Sequence, residues 1–198
     1  MIHIIRASEM REGRWLNGMG VSWDIATEIP GAGATDFDWR FAIARIDASV
    51  PFSHHENVNR IFTLIEGREL VLSVAGLGDV EVRETFVPHR FPGDATTTCR
   101  LKDGPCRVLN LFLARGSWGA EAELASGAAR LMHAGPVLLY AVDGSLTCNG
   151  ERLEQAMPRS LAVNCTSIPA SGGITVRACG LAPRNEVTPC HAYSKVIC

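Results

Sequence analysis
The sequence predicts an all-β protein made of two barrel-like halves with little helix, and three observations predict it. Short blocks of Val, Ile, Leu and Phe recur along the chain, each closed off by Gly, Pro, Asp or Asn. Such residues fit a pleated, half-buried surface, and many short strands at close spacing point to a sandwich or barrel. Glu66-Gly67, Asp143-Gly144 and Asn149-Gly150 are hairpin signals, because glycine tolerates the positive φ of a tight turn. Finally, Ile61-Phe62-Thr63-Leu64-Ile65-Glu66-Gly67 is echoed by Leu138-Leu139-Tyr140-Ala141-Val142-Asp143-Gly144. Each is an apolar strand running into an acidic-Gly turn and then a second strand, so two similar halves are expected.

Taken in order, strands are expected over 40–46, 60–65, 69–74, 80–82, 107–113, 137–142, 161–164 and 174–178. Residues 119–132 alone read as helical, being rich in Ala, Glu and Leu. Gly127 inside them makes a linker with one weak turn an equal reading. The expected organisation is an N-terminal barrel over 1–115, a linker over 116–130, a C-terminal barrel over 131–181 and a polar tail over 182–198.

The 198 residues suffice for a substantial core, and 46% hydrophobic with 20% charged residues is ordinary for a globular chain. A net charge of −2 offers no basic face, so neither nucleic acid nor an anionic membrane is an expected partner. The opening Met1-Ile2-His3-Ile4-Ile5 is too short an apolar run before Arg6 to be an export signal. No stretch approaches the roughly 20 apolar residues that span a bilayer. Seven cysteines, an odd number at irregular spacing and without a C-x-x-C pair, argue against a disulfide framework or structural zinc. A cytoplasmic protein with free thiols is expected. Monomer and homodimer are both left open.

Several motifs go further. Trp15-Leu16-Asn17-Gly18-Met19-Gly20 is similar to a W-K-N-G-G-G signature, and Asp36-Phe37-Asp38-Trp39-Arg40 matches a D-F-D-W-R block outright. Pro51-Phe52-Ser53, Arg60, Glu66-Gly67, Phe91-Pro92-Gly93-Asp94, Asp103-Gly104-Pro105 and Asn110 follow in order. In this combination, over most of residues 15–112, the chain resembles the HutD/Ves family. The resemblance implies a double-cupin (bicupin) jelly roll without a metal, and a link to histidine utilisation, where such proteins restrain pathway output. Three departures bear on the ligand more than on the fold. Leu16 replaces a lysine, Met19 replaces a glycine, and Val108-Leu109-Asn110 lacks the acidic residue of a D-F-N block. A lysine lost beside a binding loop removes a cation that would meet a carboxylate. The second half matches only a generic cupin rhythm, with Gly144, Gly150 and Pro158 at turn positions.

Catalytic cupins commonly hold a metal through H-x-H, a short gap, and a glutamate seven residues before a glycine. Counting back seven from Gly67 reaches Arg60, and the histidine pair becomes Ser53 and His55. After Phe91-Pro92-Gly93 the expected histidine region reads Asp94-Ala95-Thr96-Thr97-Thr98, and in the second half the count from Gly144 reaches Val137. An arginine at the glutamate position repels a divalent cation. His54 and His55 are adjacent, so an extended backbone points them to opposite faces. No metal and no other cofactor is expected.

Arg60 is the most informative residue, because the cupin register aims it into the barrel. A buried guanidinium stays charged and needs a partner. That partner is either an internal carboxylate, from Glu66, Asp94 or Glu56, or a small-molecule carboxylate gripped by the planar fork. Trp15, Asn17 and Gly18 form either a core-packed turn or the lip of a pocket over the barrel mouth. Asp38 and Arg40 are expected to pin a strand entrance while Trp39 or Phe37 fills the core. Asn110, an amide in an apolar strand, either braces a loop or faces the pocket. Ser53, His55, Phe91 and Asp94 complete the candidate ligand site around Arg60.

Three functions follow. The first is a non-enzymatic regulatory protein that binds a small carboxylate; the resemblance implies urocanate or N-formylglutamate. The second is a metal-free cupin enzyme, an isomerase or lyase, with His55 and Asp94 as its only acid–base candidates. The third is a stress-induced protein acting through a protein partner and an exposed apolar patch.

Overall fold
The computed structural model describes residues 2–5, 7–27, 36–116, 118–126, 137–143, 145–148, 151–154, 172–180 and 194–197. The fold is all-β and cupin-like: apart from a single 3-10 turn at Ala7–Glu9, every described element is a strand. In chain order the strands are β1 (Ile2–Ile5), β2 (Arg11–Arg14), β3 (Val21–Thr27), β4 (Trp39–Ile46), β5 (Val50–Pro51), β6 (Val58–Glu66), β7 (Leu70–Val74), β8 (Gly78–Val82) and β9 (Pro88–Pro92). They continue as β10 (Thr97–Leu101), β11 (Cys106–Ala114), β12 (Trp118–Ser126), β13 (Val137–Asp143), β14 (Ser145–Cys148), β15 (Glu151–Glu154), β16 (Gly172–Gly180) and β17 (Ser194–Ile197).

The chain divides into two compact units: Met10–Gly119, and Met1–Glu9 with Ala120–Cys198. The first holds a six-stranded sheet in the order β2-β3-β4-β11-β6-β9 and a four-stranded sheet in the order β5-β10-β7-β8. Both feed one core, in which Phe62 and Leu64 of β6, Val108 of β11 and Ala44 of β4 meet Leu70 and Leu72 of β7 and Cys99 of β10. Burying a Phe or Leu side chain fully is worth about 2 kcal/mol, so this cluster contributes strongly to the unit's stability. The middle strands of the larger sheet are buried on both faces. In β4, Trp39, Phe41 and Ile43 alternate with Arg40, Ala42 and Ala44, and all six are buried. That is why this strand reads as a nearly continuous apolar run.

The second unit contains a five-stranded sheet in the order β1-β17-β13-β16-β12 and the β14–β15 pair. β17 runs parallel to both β1 and β13. β14 and β15 are antiparallel on either side of positions 149–150, which themselves lie outside the described residues.

Several expectations are corrected here. Residues 118–126, expected as linker or helix, form β12: sheet pairing overrides the helical propensity of Ala, Glu and Leu. The expected tail contributes β17, and the first strand belongs with the second unit rather than the first. The boundaries 1–115, 131–181 and 182–198 therefore do not follow the chain's compaction. β1, β2, β3, β5, β9 and β10 fall where no strand is expected. The strand expected over 161–164 lies outside the described residues. Among the described residues, no helix is long and apolar enough to cross a membrane. Cys99 and Cys106 are buried free thiols whose protons are held by burial up to about 11 and about 12.

Candidate functional site
Sheet register builds the site. Within the first unit, Phe112 of β11 lies directly opposite Arg40 of β4 on one side and Arg60 of β6 on the other. Asn110, two residues along the same face, lies opposite Ala42 and Phe62. Alternation therefore turns Arg40, Arg60, Asn110 and Phe112 to one face, where they line a recess of about 430 Å³, its open mouth included. Trp15, Ser22, Phe52, Ser53 and His55 close its sides, and the exposed Arg14 stands at its rim.

Arg60 is only 6% exposed, yet no carboxylate among the described residues pairs with it. It donates through Nε (2.9 Å) and Nη2 (2.7 Å) to Oδ1 of Asn110, its diagonal neighbour across β6 and β11. Four phenylalanines surround the guanidinium, with its carbon 4.4 Å from the ring centre of Phe52, 5.1 Å from Phe112, 5.4 Å from Phe91 and 5.6 Å from Phe62. The ring faces partly compensate the charge by cation–π attraction. Burial lowers this guanidinium to about 9, with Arg40 adding to the effect. It remains a cation at neutral pH. The internal ion pair is overturned: Glu66 pairs with Arg107 at the surface, Asp94 pairs with Arg115, and Glu56 is exposed.

Arg40, by contrast, is neutralised. Its Nε donates to Asp24 Oδ1 at 2.7 Å and its Nη2 to Ser22 Oγ at 3.3 Å. Asp24 also accepts from Arg11 at 3.1 Å. The expected role for Arg40, pinning a strand entrance beside Asp38, is corrected. Asp38 is exposed at its side chain and accepts from the Ala114 amide only through its backbone carbonyl. Phe37 and Trp39 both fill core, as expected of at least one of them.

His55 is 7% exposed and packs its ring 4.8 Å from Phe112 and 6.5 Å from Phe37. Its ring nitrogens have no hydrogen-bond partner among the described residues. Burial, then Arg60, Arg40 and His54, lower it to about 4, so it is a neutral imidazole at pH 7. His54, the next residue back, is exposed, and neither histidine lies in a strand. Among the described residues, no three His, Cys, Asp or Glu side chains converge closely enough to hold a metal ion.

The remaining expected residues separate. Trp15 serves both alternatives at once: it lines the recess, and its ring meets Phe52 edge-on at 5.7 Å. Asn17 does not line the recess. Its amide is spent on the loop, with Nδ2 donating to the Pro51 carbonyl at 2.9 Å and Oδ1 accepting from the Met19 amide at 3.1 Å. Gly18 turns that loop at φ 71°, a conformation that glycine adopts without strain. Ser53 lines the recess and accepts from the Asn17 amide. Phe91 lies beneath Arg60 in the core rather than on the recess wall. Asp94 is held by two hydrogen bonds of 2.9 Å from Arg115, which keep its carboxyl below the usual range. Asn110 faces the recess, and its Nδ2 has no partner among the described residues.

Comparison with known proteins agrees with this fold. The HutD family profile matches residues 7–171. The chain belongs to the HutD family. A Pseudomonas putida relative, described as an uncharacterised 21.2 kDa protein in the hutC 3' region, is 32% identical over 141 residues, covering 71% of this chain and 73% of its own. Protein Ves of Cronobacter sakazakii is 28% identical over 143 residues, covering 70% and 75%. Among solved structures, HutD from Pseudomonas fluorescens in a formate condition matches with a TM-score of 0.74 at 25% identity, over 89% of this chain and 97% of that one. A conserved protein of unknown function from Pseudomonas aeruginosa matches with a TM-score of 0.65 at 26% identity, over 88% and 91%.

In this HutD-family chain, sequence reasoning missed Arg40, Asp24, Ser22, Phe52 and Phe112 as parts of the site. The missing signal was strand pairing. Asp24 lies opposite Ala42 in the β3–β4 register, one pair away from Arg40 along the face, and only the register brings the two together.

Proposed function
We propose that this chain is a non-catalytic binder of a small carboxylate, acting in the regulation of histidine utilisation. One observation carries the reading: Arg60 is a buried, charged guanidinium, open to a recess, whose hydrogen-bond partner is the neutral Asn110. Burying a cation without a counter-anion is costly, and an incoming carboxylate removes that cost. Asn110 chelates the Nε–Nη2 edge, which leaves the Nη1–Nη2 end of the fork for the ligand. The unpartnered Asn110 Nδ2 adds a second donor in the same recess.

The relatives point the same way: one lies in a hutC region, and another was solved in a formate condition. Urocanate and N-formylglutamate are the ligands to try first. The state of the two acid–base candidates favours a binder over an isomerase or lyase. Asp94 is locked to Arg115 and does not line the recess, and a His55 lowered to about 4 is a weak base at neutral pH. Isothermal titration of both compounds into wild type, Arg60→Ala and Arg60→Lys tests the reading. Wild type is expected to bind at least one. Arg60→Ala should lose about 2–5 kcal/mol of that affinity, as when one partner of a buried charge pair is removed. Arg60→Lys should also weaken it, since a point charge cannot replace a fork. No binding by wild type, or unchanged affinity in Arg60→Ala, refutes it.

A further inference from the structure
The recess also carries information about the far end of its ligand. Its buried charges can be counted. Arg60 contributes one uncompensated cation, while Arg40 is cancelled by Asp24. Arg14, at the rim, is exposed, and a carboxylate meeting it in water gains little. Besides Asn110 Nδ2, which lies at the Arg60 end, a further unsatisfied polar group in the wall is the imidazole of His55, buried, neutral and without a hydrogen-bond partner among the described residues. A buried polar group left unpaired is costly, and orphans of this kind mark places where a ligand or water supplies the missing bond.

Both groups line the same recess. Arg60 and His55 pack on the same ring, at 5.1 Å and 4.8 Å from the centre of Phe112. Phe52 and Trp15, in edge-on contact, add apolar wall to that recess. We infer that the recess is a two-point site for a monoanion, taking its carboxylate on Arg60 and a neutral hydrogen-bonding group, such as an amide or azole nitrogen, on His55. This rests on the carboxylate-binding reading above and adds to it the charge class of the ligand. A dicarboxylate fits poorly, so of the two compounds to try first the monoanion urocanate is favoured over the dianion N-formylglutamate. Its second negative charge would be desolvated beside a neutral imidazole, next to an arginine already paired.

The test compares isosteric probes that differ only at the far end. Glutaramate ends in an amide where glutarate ends in a second carboxylate, and succinamate and succinate form a shorter pair. Formate, which has no far end, serves as the one-point reference. Each is titrated into wild type, Arg60→Lys and His55→Phe, with a thermal melt to verify folding. The monoamide of at least one pair should bind wild type at least roughly tenfold more tightly than its diacid and than formate, as expected when a second charge is buried unpaired. In His55→Phe that preference should collapse to near parity. If the diacid binds as well or better, or the preference persists in His55→Phe, the two-point inference fails while formate binding lost in Arg60→Lys still supports the carboxylate site. If no probe binds, formate included, the carboxylate reading itself fails. The wild-type comparison stands alone should His55→Phe not fold.

Discussion

Oδ1 of Asn110 accepts both Nε and Nη2 of Arg60, at 2.9 and 2.7 Å, within a ring of phenylalanines. The amide holds the guanidinium in the geometry that a carboxylate would impose, without cancelling its charge. A buried arginine usually trades its charge for stability through an ion pair. Here a neutral acceptor fixes the direction of the fork and leaves the cation available.

Replacing that amide with an acid should therefore switch the site off. Asn110→Asp is nearly isosteric, and its carboxylate would complete an internal ion pair with Arg60. The expected result is affinity for formate or a small carboxylate reduced by roughly 10- to 100-fold, with the ligand-free melting temperature unchanged or raised. Titration beside differential scanning calorimetry measures both. A variant that binds as wild type does would mean that anions do not compensate Arg60.

Removing the charge with its brace should show what the site costs the fold. Arg60→Met alone leaves Asn110 Oδ1 buried and unpaired, and Asn110→Leu alone leaves the Nε–Nη2 edge unpaired. Each orphan is worth about 1–3 kcal/mol. The double variant leaves neither, and its apolar side chains suit the surrounding Phe52, Phe62 and Phe112. Urea unfolding should find the double variant more stable than either single one, with a coupling energy of about 1–3 kcal/mol. Additive effects would separate the two residues energetically.

How much of this was legible depended on whether the information was local. Arg60 could be read because its offset from Gly67 and the resemblance together place it on an inward strand position. Arg40 sits just as deep but reads as a local brace, since Asp38 is beside it in the chain. Its true partner, Asp24, comes from the neighbouring strand. Asn17 failed in the opposite sense: an amide in a Gly-rich loop looks available, yet both its polar ends are used within the loop and on Pro51. The Asp94 turn belongs to the fold for a similar reason. Gly93 donates to Val58 and accepts from His55, so the motif secures the segment that carries His55. β10, written Thr97-Thr98-Cys99-Arg100-Leu101, was missed because three of its five residues are polar. It is a strand because it pairs with β7 along its whole length.

The Trp15 wall can be tested without touching a polar group. A Cβ at Gly20 would lie 2.4 Å from the Trp15 ring, far inside van der Waals contact. Gly13, on the neighbouring β2 strand, has nothing within 4 Å of its Cβ position and is the matched control. Gly20→Ala should push the indole off the recess, changing tryptophan emission and weakening ligand binding by roughly tenfold through a displaced wall. Gly13→Ala should change neither. Equal effects from the two substitutions would remove Trp15 from the site.

Stability should depend on pH through His55. Burial, helped by Arg60 and Arg40, lowers its folded pKa from 6.5 to about 4. The folded state thus disfavours the proton that the unfolded chain accepts. The stability this confers is fully present above the unfolded value near 6.5 and is lost as pH falls through that value toward 4. Such a shift corresponds to about 3 kcal/mol across the window. Other groups titrate at the acid end: Asp94 is held low by Arg115, and half-buried His89 is also lowered by burial. The informative quantity is therefore a difference between two proteins. His55→Phe keeps an aromatic ring against Phe37 and Phe112 but cannot take a proton. Between pH 7 and 4, wild type should lose about 3 kcal/mol more than His55→Phe in denaturant unfolding. Parallel profiles would mean that His55 accepts a proton as readily in the fold as out of it, and that burial does not hold its imidazole neutral in acid.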